Sequence, residues 1–340
     1  MREAESTRVT VHDVARLAGV ASSTVSRAMT GGTVSPGTRQ VVLAAADRLG
    51  YRPNRQARGL VTGRTGAIGL VVPDLRNPFF ADVAKGVSVR ARAVDVQVFV
   101  IDTDEDLRAE AEAIRSLVGS VDGLLLCSPR MTDDPLRLLL GTQAAVLIHR
   151  QVAGLPAVTA DIVDGTRQAV AHLRALGHER IAYVGGPTTS WAGGQRTAGL
   201  ADAGVEIIAF GPVAPTFDGG VAVADLVLAS GASAVIAYND LVALGLLQRV
   251  AARGILVPEG LSIVGYDDVS VASWVSPPLT TVRTPQAAAG RAAVDLMLRA
   301  MNEPAGTEPE HVVLPAQLVV RGSTGVLEPG RPRRVSDTPA

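Results

Sequence analysis

Apolar and polar positions follow two different rhythms along this chain. Between Thr10 and Leu49 the apolar residues recur every three or four positions, as in short amphipathic helices. Val11, Val14, Ala15 and Leu17 share one helical face. Gly19 follows, where a chain leaving a helix takes positive φ with no Cβ to clash. Val20 reads as a buried turn residue. A second helix over Ser22–Met29 directs Val25 and Met29 inward and Ser22, Ser23, Ser26 and Arg27 outward. Ser35-Pro36 is a cap followed by a first-turn proline. It opens a third helix, Thr38 to Leu49, with Val41, Val42, Ala45 and Leu49 inward and Gly50 closing it.

From Ala67 the rhythm changes to short apolar runs alternating with amphipathic stretches. Strands are predicted at 67–72, 96–101, 123–126 and 146–149, with helices at 79–94 and 107–118. After Asp161 the alternation restarts: helices at 166–176, 221–228 and 241–253, and strands at 181–184, 207–210, 234–238 and 261–266. A helix at 286–301 and two short strands around Pro315 complete the pattern. Runs apolar on both faces, separated by helices, predict parallel sheets covered on both sides. The fold class is therefore an all-α headpiece followed by an α/β body of two doubly wound, parallel-sheet lobes. Open α/β sheets bind ligands at the carboxyl ends of their strands, here between the lobes.

The 340 residues suffice for two or three domains, and 47% hydrophobic residues provide for large cores. The net charge of −1 hides an asymmetry. Residues 1–64 hold ten arginines against four carboxylates, a balance of +6, which leaves −7 for the rest. A small basic domain on an acidic body suggests a local nucleic-acid footprint. The single cysteine, Cys127, excludes an intrachain disulfide and a cysteine-based zinc site. The start, MREAESTR, lacks the apolar core of a secretion signal, and no apolar run approaches a membrane span. A cytoplasmic protein with no membrane contact is expected.

Small hydroxyls and one arginine on an exposed helical face suit a DNA groove, since hydroxyls reach phosphates and Arg can be bidentate to guanine. The plainer alternative is a helical hairpin with a solvated face. The longer stretches VTVHDVARLAGVASSTVSRAMTGG, VSPGTRQVVLAAADRLGYRPN and RQARGLVTGRT, in that order, resemble the headpiece and hinge of the lactose/galactose-repressor (LacI/GalR) family of bacterial transcription regulators. The resemblance runs on to about Ser323. It implies a helix-turn-helix headpiece at 8–53, a hinge helix and linker at 54–65, and a two-lobed effector-binding and dimerisation domain at 66–323, resembling periplasmic sugar-binding proteins. It also implies three crossings between the lobes, near Ala160, Thr284 and Pro315. Lobe 1 is then about 66–160 plus 285–314, and lobe 2 about 161–284 plus 316–323. A disordered tail is expected at 324–340.

By this resemblance Ser22, Ser23 and Arg27 meet base edges, while Thr10, Thr24, Ser26, Ser35, Thr38 and Asn54 hold phosphates. For each hydroxyl, capping or simple exposure is the alternative. Ala21 departs from the family's usual Ser, removing a cap worth on the order of 1 kcal/mol. Leu60 matches the hinge residue that wedges into the minor groove; packing against the body is its alternative. Residues 54–61, with Gly59 inside them, are too few to hold a helix alone. Hinge pairing on DNA is therefore the expected switch.

Asp74, Asn77, Phe79 and Phe80 lie just after the first strand and so at the cleft, although Phe80 also suits a core. Ser128 follows the third strand and His149 ends the fourth, where relatives more often carry Asp; a structural role for His149 stays open. Trp191 and Arg196 follow the strand that ends near Gly185. The resemblance assigns Arg196, Phe217, Asn239 and Asp267 to the effector, with an Arg196–Asp267 structural pair as the alternative. The segment LADAGVEI after Gly199 is shorter than the family's usual stretch. The implied partners are double-stranded operator DNA, a small polar effector and a second copy of the chain in a homodimer. A sugar suits the effector site first and a nucleoside second.

Other classes fit less well. No G-x-G-x-x-G follows the first strand, and G-x-x-x-x-G-K and G-x-S-x-G are missing. The five histidines show no metal spacing, so neither enzyme activity, cofactor nor metal is expected. A stand-alone sugar-binding protein would carry a secretion signal and no basic headpiece.

Overall fold

A computed structural model describes residues 9–29, 32–51, 64–201, 203–302 and 307–328. The hinge segment 54–61, with Asn54, Gly59 and Leu60, lies outside the described residues. The chain divides after Gly66 into a small N-terminal unit and a larger body.

The N-terminal unit is built from α1 (Val11–Ala18), α2 (Ser22–Met29) and α3 (Pro36–Leu49). Gly19 and Gly50 end α1 and α3 at φ of 66° and 65°, conformations that cost glycine least. The three helices meet on Val14, Ala15, Val25, Ala28, Val42, Ala45 and Ala46. This stripe is narrower than the periodicity predicted. Leu17 and Val41, both expected inside, are 44% and 51% exposed, and Ala28 takes the central place expected for Met29. Short helices that cross closely admit only small residues at the crossing, so larger apolar residues stand at its shoulders. Arg39 closes the C-terminal side of α2, its guanidinium donating to the carbonyls of Ala28 at 2.6 Å and Gly32 at 2.7 Å.

The body holds two six-stranded sheets. The first contains β1 (Ala67–Val72), β2 (Gln97–Asp102), β3 (Gly123–Cys127), β4 (Ala145–Ile148), β5 (Ala157–Ala160) and β11 (His311–Leu314). Its order is β11-β5-β4-β3-β1-β2, parallel throughout. The second contains β6 (Arg180–Val184), β7 (Glu206–Phe210), β8 (Ala234–Ala237), β9 (Ser262–Asp267), β10 (Thr280–Arg283) and β12 (Gln317–Val319). Its order is β12-β10-β9-β8-β6-β7, with β12 antiparallel to β10. In each sheet the first strand of the lobe lies between the second and third. The order therefore reverses at β1 in one sheet and at β6 in the other, and crevices open at such points.

Helices α4 (Pro78–Ala93), α5 (Leu107–Leu117), α6 (Asp133–Leu140) and α11 (Gln286–Ala300) belong with the first sheet. The second is accompanied by α7 (Ile162–Ala175), α8 (Trp191–Leu200), α9 (Phe217–Ala229) and α10 (Asp240–Ala252). The chain passes between sheets after β5, after β10 and again between β11 and β12. Helices α4 and α11 approach closely because Gly86 and Gly290 lie in their contact; a Cβ on Gly290 would sit 2.3 Å from the Val83 carbonyl. Residues 324–328, expected in the tail, are tied to the second lobe. Thr324 bonds His172, Gly325 bonds His178 and Ser262, and Leu327 N–H donates to Leu176 O. No helix among the described residues is long and apolar enough to cross a membrane.

Candidate effector site and nucleic-acid interface

On the N-terminal unit, Ser23, Ser26 and Arg27 are exposed on α2, and the Arg27 Nε donates to the Ser23 carbonyl at 3.3 Å. Ser22 and Thr24 are half-buried, and the Ser22 hydroxyl lies 3.0 Å from His12 Nδ1. Thr10 donates its N–H and hydroxyl to the Asp13 carboxylate. Ser35 caps α3, accepting from Thr38 N–H at 3.1 Å, and the two hydroxyls are 2.8 Å apart. Ala21 contributes only its carbonyl, which accepts from Thr24 and Val25 N–H at 2.9 and 3.1 Å.

In the body a cavity opens at the carboxyl ends of strands from both sheets, with about 40 Å³ of room for the centres of water molecules. Phe79, Phe80, Ser128, His149, Arg196, Asn239 and Asp267 line it. Ser128, His149 and Asp267 each leave a strand end at positive φ, 47°, 56° and 109°, which aims their side chains off the sheet. Helices also begin on the cavity wall, where Asn77 caps α4 and Asn239 caps α10 through N–H bonds of 3.1 and 2.9 Å.

Three of the residues expected at the effector lie elsewhere among the described residues. Asp74 turns along its own loop, accepting from Arg76 N–H and Nε at 2.8 and 3.0 Å. The Trp191 ring, at the first position of α8, packs on the core of the second lobe. Phe217, first in α9, stands 41% exposed. Their near neighbours in the chain, Ala192 and Pro215, line the cavity, but neither aromatic does.

Residues without an expected role share the wall, among them Glu105, Arg130, Tyr238, Tyr266 and Thr284. Arg130 meets Glu105 in a two-pronged ion pair of 2.7 and 2.8 Å. The Arg196 guanidinium is sandwiched 4.6 Å from the Tyr238 ring centre and 4.1 Å from that of Tyr266. Both tyrosines adjoin expected residues, in YND and GYDD, so strand-end position was an available signal. Nothing in the local sequence marks Glu105, which reaches the cavity through a turn after β2 at φ of 59°.

The electrostatics set this cavity apart. Four of the five buried side-chain atoms without a hydrogen-bond partner among the described residues lie on its wall: His149 Nε2, Arg196 Nε and Nη1, and Thr284 Oγ1. Burial, with Arg196 adding to it, pulls the His149 imidazole down to about 4, so it is neutral at pH 7. Burial pushes the Asp267 carboxyl up to about 7, with Arg196 pulling the other way. Burial also opposes the charge on Arg196, but Tyr238, Asp267 and Tyr266 more than offset it and hold the group above its ordinary value. Behind the wall, burial and then Asp267 raise Asp240 well above the usual carboxylate range. Its oxygens accept from Thr281 Oγ1 at 2.6 Å and Val269 N–H at 2.8 Å. The assembly offers donors and a carboxylate around one cavity, and among the described residues there is no cluster fit for a metal.

Comparison with known proteins decides the family. The profile for bacterial regulatory proteins of the lacI family matches residues 10–54, and that for a periplasmic binding protein-like domain matches residues 170–324. The HTH-type transcriptional regulator CelR of Thermobifida fusca is 38% identical, across 93% of this chain and 98% of its own length. The chain belongs to the LacI family. It is a DNA-binding transcription regulator of that family with a periplasmic-binding-protein-like effector domain, and the family is not one of enzymes. Catabolite control protein A of Priestia megaterium is another LacI-family relative, 31% identical over 93% of this chain and 99% of its own. Among solved structures, the lac repressor dimer bound to operator and the anti-inducer ONPF superposes with a TM-score of 0.82. It is 29% identical and covers 94% of this chain and 100% of its own. A CelR–cellobiose complex superposes with a TM-score of 0.68 at 35% identity, covering 93% and 100%.

Proposed function

We propose that the protein is a homodimeric transcriptional repressor whose hold on its operator is set by a sugar bound between the lobes. The observation that carries this reading is the set of buried, unpartnered polar atoms on Arg196, His149 and Thr284, gathered with Asp267 around one cavity. Buried donors left unmatched are costly, and a ligand bearing several hydroxyls matches them. The relative solved with cellobiose supports a sugar. A nucleoside fits less well, because Arg196 covers a face of both Tyr238 and Tyr266, Phe79 packs against Phe80 and His149, and Trp191 and Phe217 do not line the cavity.

On the DNA side, Ser22, Ser23 and Arg27 read bases. Thr10, Thr24, Ser26, Ser35, Thr38 and Asn54 hold phosphates, and Leu60 is the minor-groove wedge. The exposure of Ser23, Ser26 and Arg27 on one face of α2 supports the assignment, as does the relative solved on its operator. Two-fold pairing of headpieces then makes a near-palindromic operator readable.

The test is fluorescence anisotropy on DNA from the promoter of the protein's own gene, with a panel of sugars and nucleosides. A sugar that changes operator affinity by about 5–150-fold, the usual allosteric range, supports the reading. A response to nucleosides alone, or one undiminished in Arg196→Met, overturns it. A variant lacking residues 1–64 should keep sugar binding and lose DNA binding.

A further inference from the structure

The cleft's charges are arranged in an unusual way. Each of its two arginines has a carboxylate beside it, one tied to it by hydrogen bonds and the other facing it at a longer distance. Arg130, with its side chain only 7% exposed, gives both prongs to Glu105. Arg196 faces Asp267 at 3.6 Å. His149, the remaining basic group on the wall, is neutral. The next cation back, Arg150, is held by the Pro129 carbonyl and by Asp133.

Helix starts are the other common seat for anions, because their first N–H groups point outward unpaired. Several helices begin around this cavity, and at each start one of these N–H groups is held by the helix's own cap. Asn77 takes Phe79 N–H, Ser190 takes Gly193 N–H at 3.1 Å, Thr216 takes Gly219 N–H at 3.2 Å and Asn239 takes Val242 N–H.

We propose that the Glu105–Arg130 ion pair is a charge filter that restricts the effector to uncharged, hydroxyl-bearing sugars and shuts out phosphorylated or acidic ones. The inference rests on the cleft being the effector site, and it narrows the ligand class. A phosphate entering near Arg130 must draw the buried guanidinium off Glu105 and leave that half-buried carboxylate facing the new anion. Separating a pair whose arginine is buried is unfavourable, and the freed carboxylate repels the incoming anion. A phosphate near Arg196 also meets the Asp267 carboxyl 3.6 Å away, which repels it wherever that carboxyl is ionised. A hydroxyl has neither problem: it donates to a carboxylate and accepts from a guanidinium without disturbing the pair. Glu105 is thus a specificity-determining residue, and its turn at positive φ is what delivers it to Arg130.

The experiment measures thermal shift and calorimetric binding with matched probes: glucose, glucose 6-phosphate and gluconate; trehalose and trehalose 6-phosphate; cellobiose and cellobionate; and inorganic phosphate against potassium chloride of equal ionic strength. In the wild type no phosphate or acid should stabilise the protein, and any bound sugar should bind at least about tenfold more tightly than its charged derivative, a difference of about 1.4 kcal/mol. Glu105→Gln releases Arg130 and should gain stabilisation by inorganic phosphate and by the phosphorylated sugars, a gain that Arg130→Met removes. A wild type stabilised by a phosphorylated sugar and not by its parent overturns the filter while leaving the cleft reading intact. So does a folded Glu105→Gln that gains nothing. Should Glu105→Gln fail to fold, the wild-type comparison decides alone. A sugar that binds Arg196→Met as well as wild type would instead fail the cleft reading, with the filter judged on the inorganic phosphate arm.

Discussion

Arg196 Nη2 lies 3.6 Å from Asp267 Oδ1, with both side chains almost wholly buried. The separation is too long for a hydrogen bond, so the two opposite charges share a cavity wall without satisfying each other. Desolvating two ions without the bond that compensates is an expensive way to build a core. The arrangement makes sense where a third group, bearing its own donors and acceptors, completes it.

Arg196→Met should therefore remove effector response more than it removes fold. Hydrogen bonds to a charged group contribute about 1.5–3 kcal/mol each, so losing the two unpartnered guanidinium nitrogens should weaken sugar binding on the order of 100-fold or more. Isothermal titration calorimetry reads this directly. An affinity within about threefold of wild type would place the ligand elsewhere.

Effector affinity should rise with pH through neutrality. Asp267 titrates near 7 in the free protein because of burial, and a sugar hydroxyl donates to its ionised form. Binding then releases a proton, and affinity should increase up to about tenfold from pH 6 to pH 8. In the free protein the linkage has the opposite sense. A carboxyl raised above its unfolded value near 4 stabilises at low pH, and that contribution is lost as pH rises through about 7. The Asp267→Asn variant should lack this loss.

His149 works the other way in acid. Its folded value of about 4 lies below the ordinary 6.5, so the unfolded chain takes up the proton first as pH falls. Its contribution to stability is complete above about pH 6.5 and is lost progressively toward 4. His149→Gln should flatten the melting temperature between pH 6.5 and 4.5. An unchanged acid limb would mean that the imidazole is protonated in the fold.

Arg27→Ala should weaken operator binding by roughly 1–3 kcal/mol, the range for a bidentate base contact. Binding to random DNA should change less, because the other arginines supply most of the phosphate attraction. Equal losses on both DNAs, measured at one salt concentration, would make Arg27 a phosphate contact.

Gly290→Ala tests the packing of α4 on α11. The added methyl would sit 2.3 Å from the Val83 carbonyl and must push the helices apart. A loss of about 1–3 kcal/mol in chemical denaturation is expected, with the N-terminal unit unaffected.

The local pattern of the chain was enough to find the three headpiece helices and the two α/β lobes. Helix caps, glycine stops and the period of apolar residues are near-neighbour effects, and they do not wait for the fold. Where the apolar signal was thin the elements went unseen: β5 is Ala-Val-Thr-Ala, β10 is Thr-Thr-Val-Arg and α8 carries three glycines. Strand-end reasoning also found most of the cavity wall, because open sheets place the ends of their strands in one crevice. Trp191 and Phe217 stand outside that wall, one packed on the core of the second lobe and the other exposed, and only the packing of their helices decides this. Strand-end reasoning had no access to Glu105 and Arg130, which are 25 residues apart and meet only because β1 brings β2 and β3 to its two sides. Charge state is the other property that only the tertiary structure decided. A histidine and an aspartate carry their ordinary values in sequence; burial beside Arg196 moved one to about 4 and the other to about 7, since desolvation belongs to the folded environment and not to the residue.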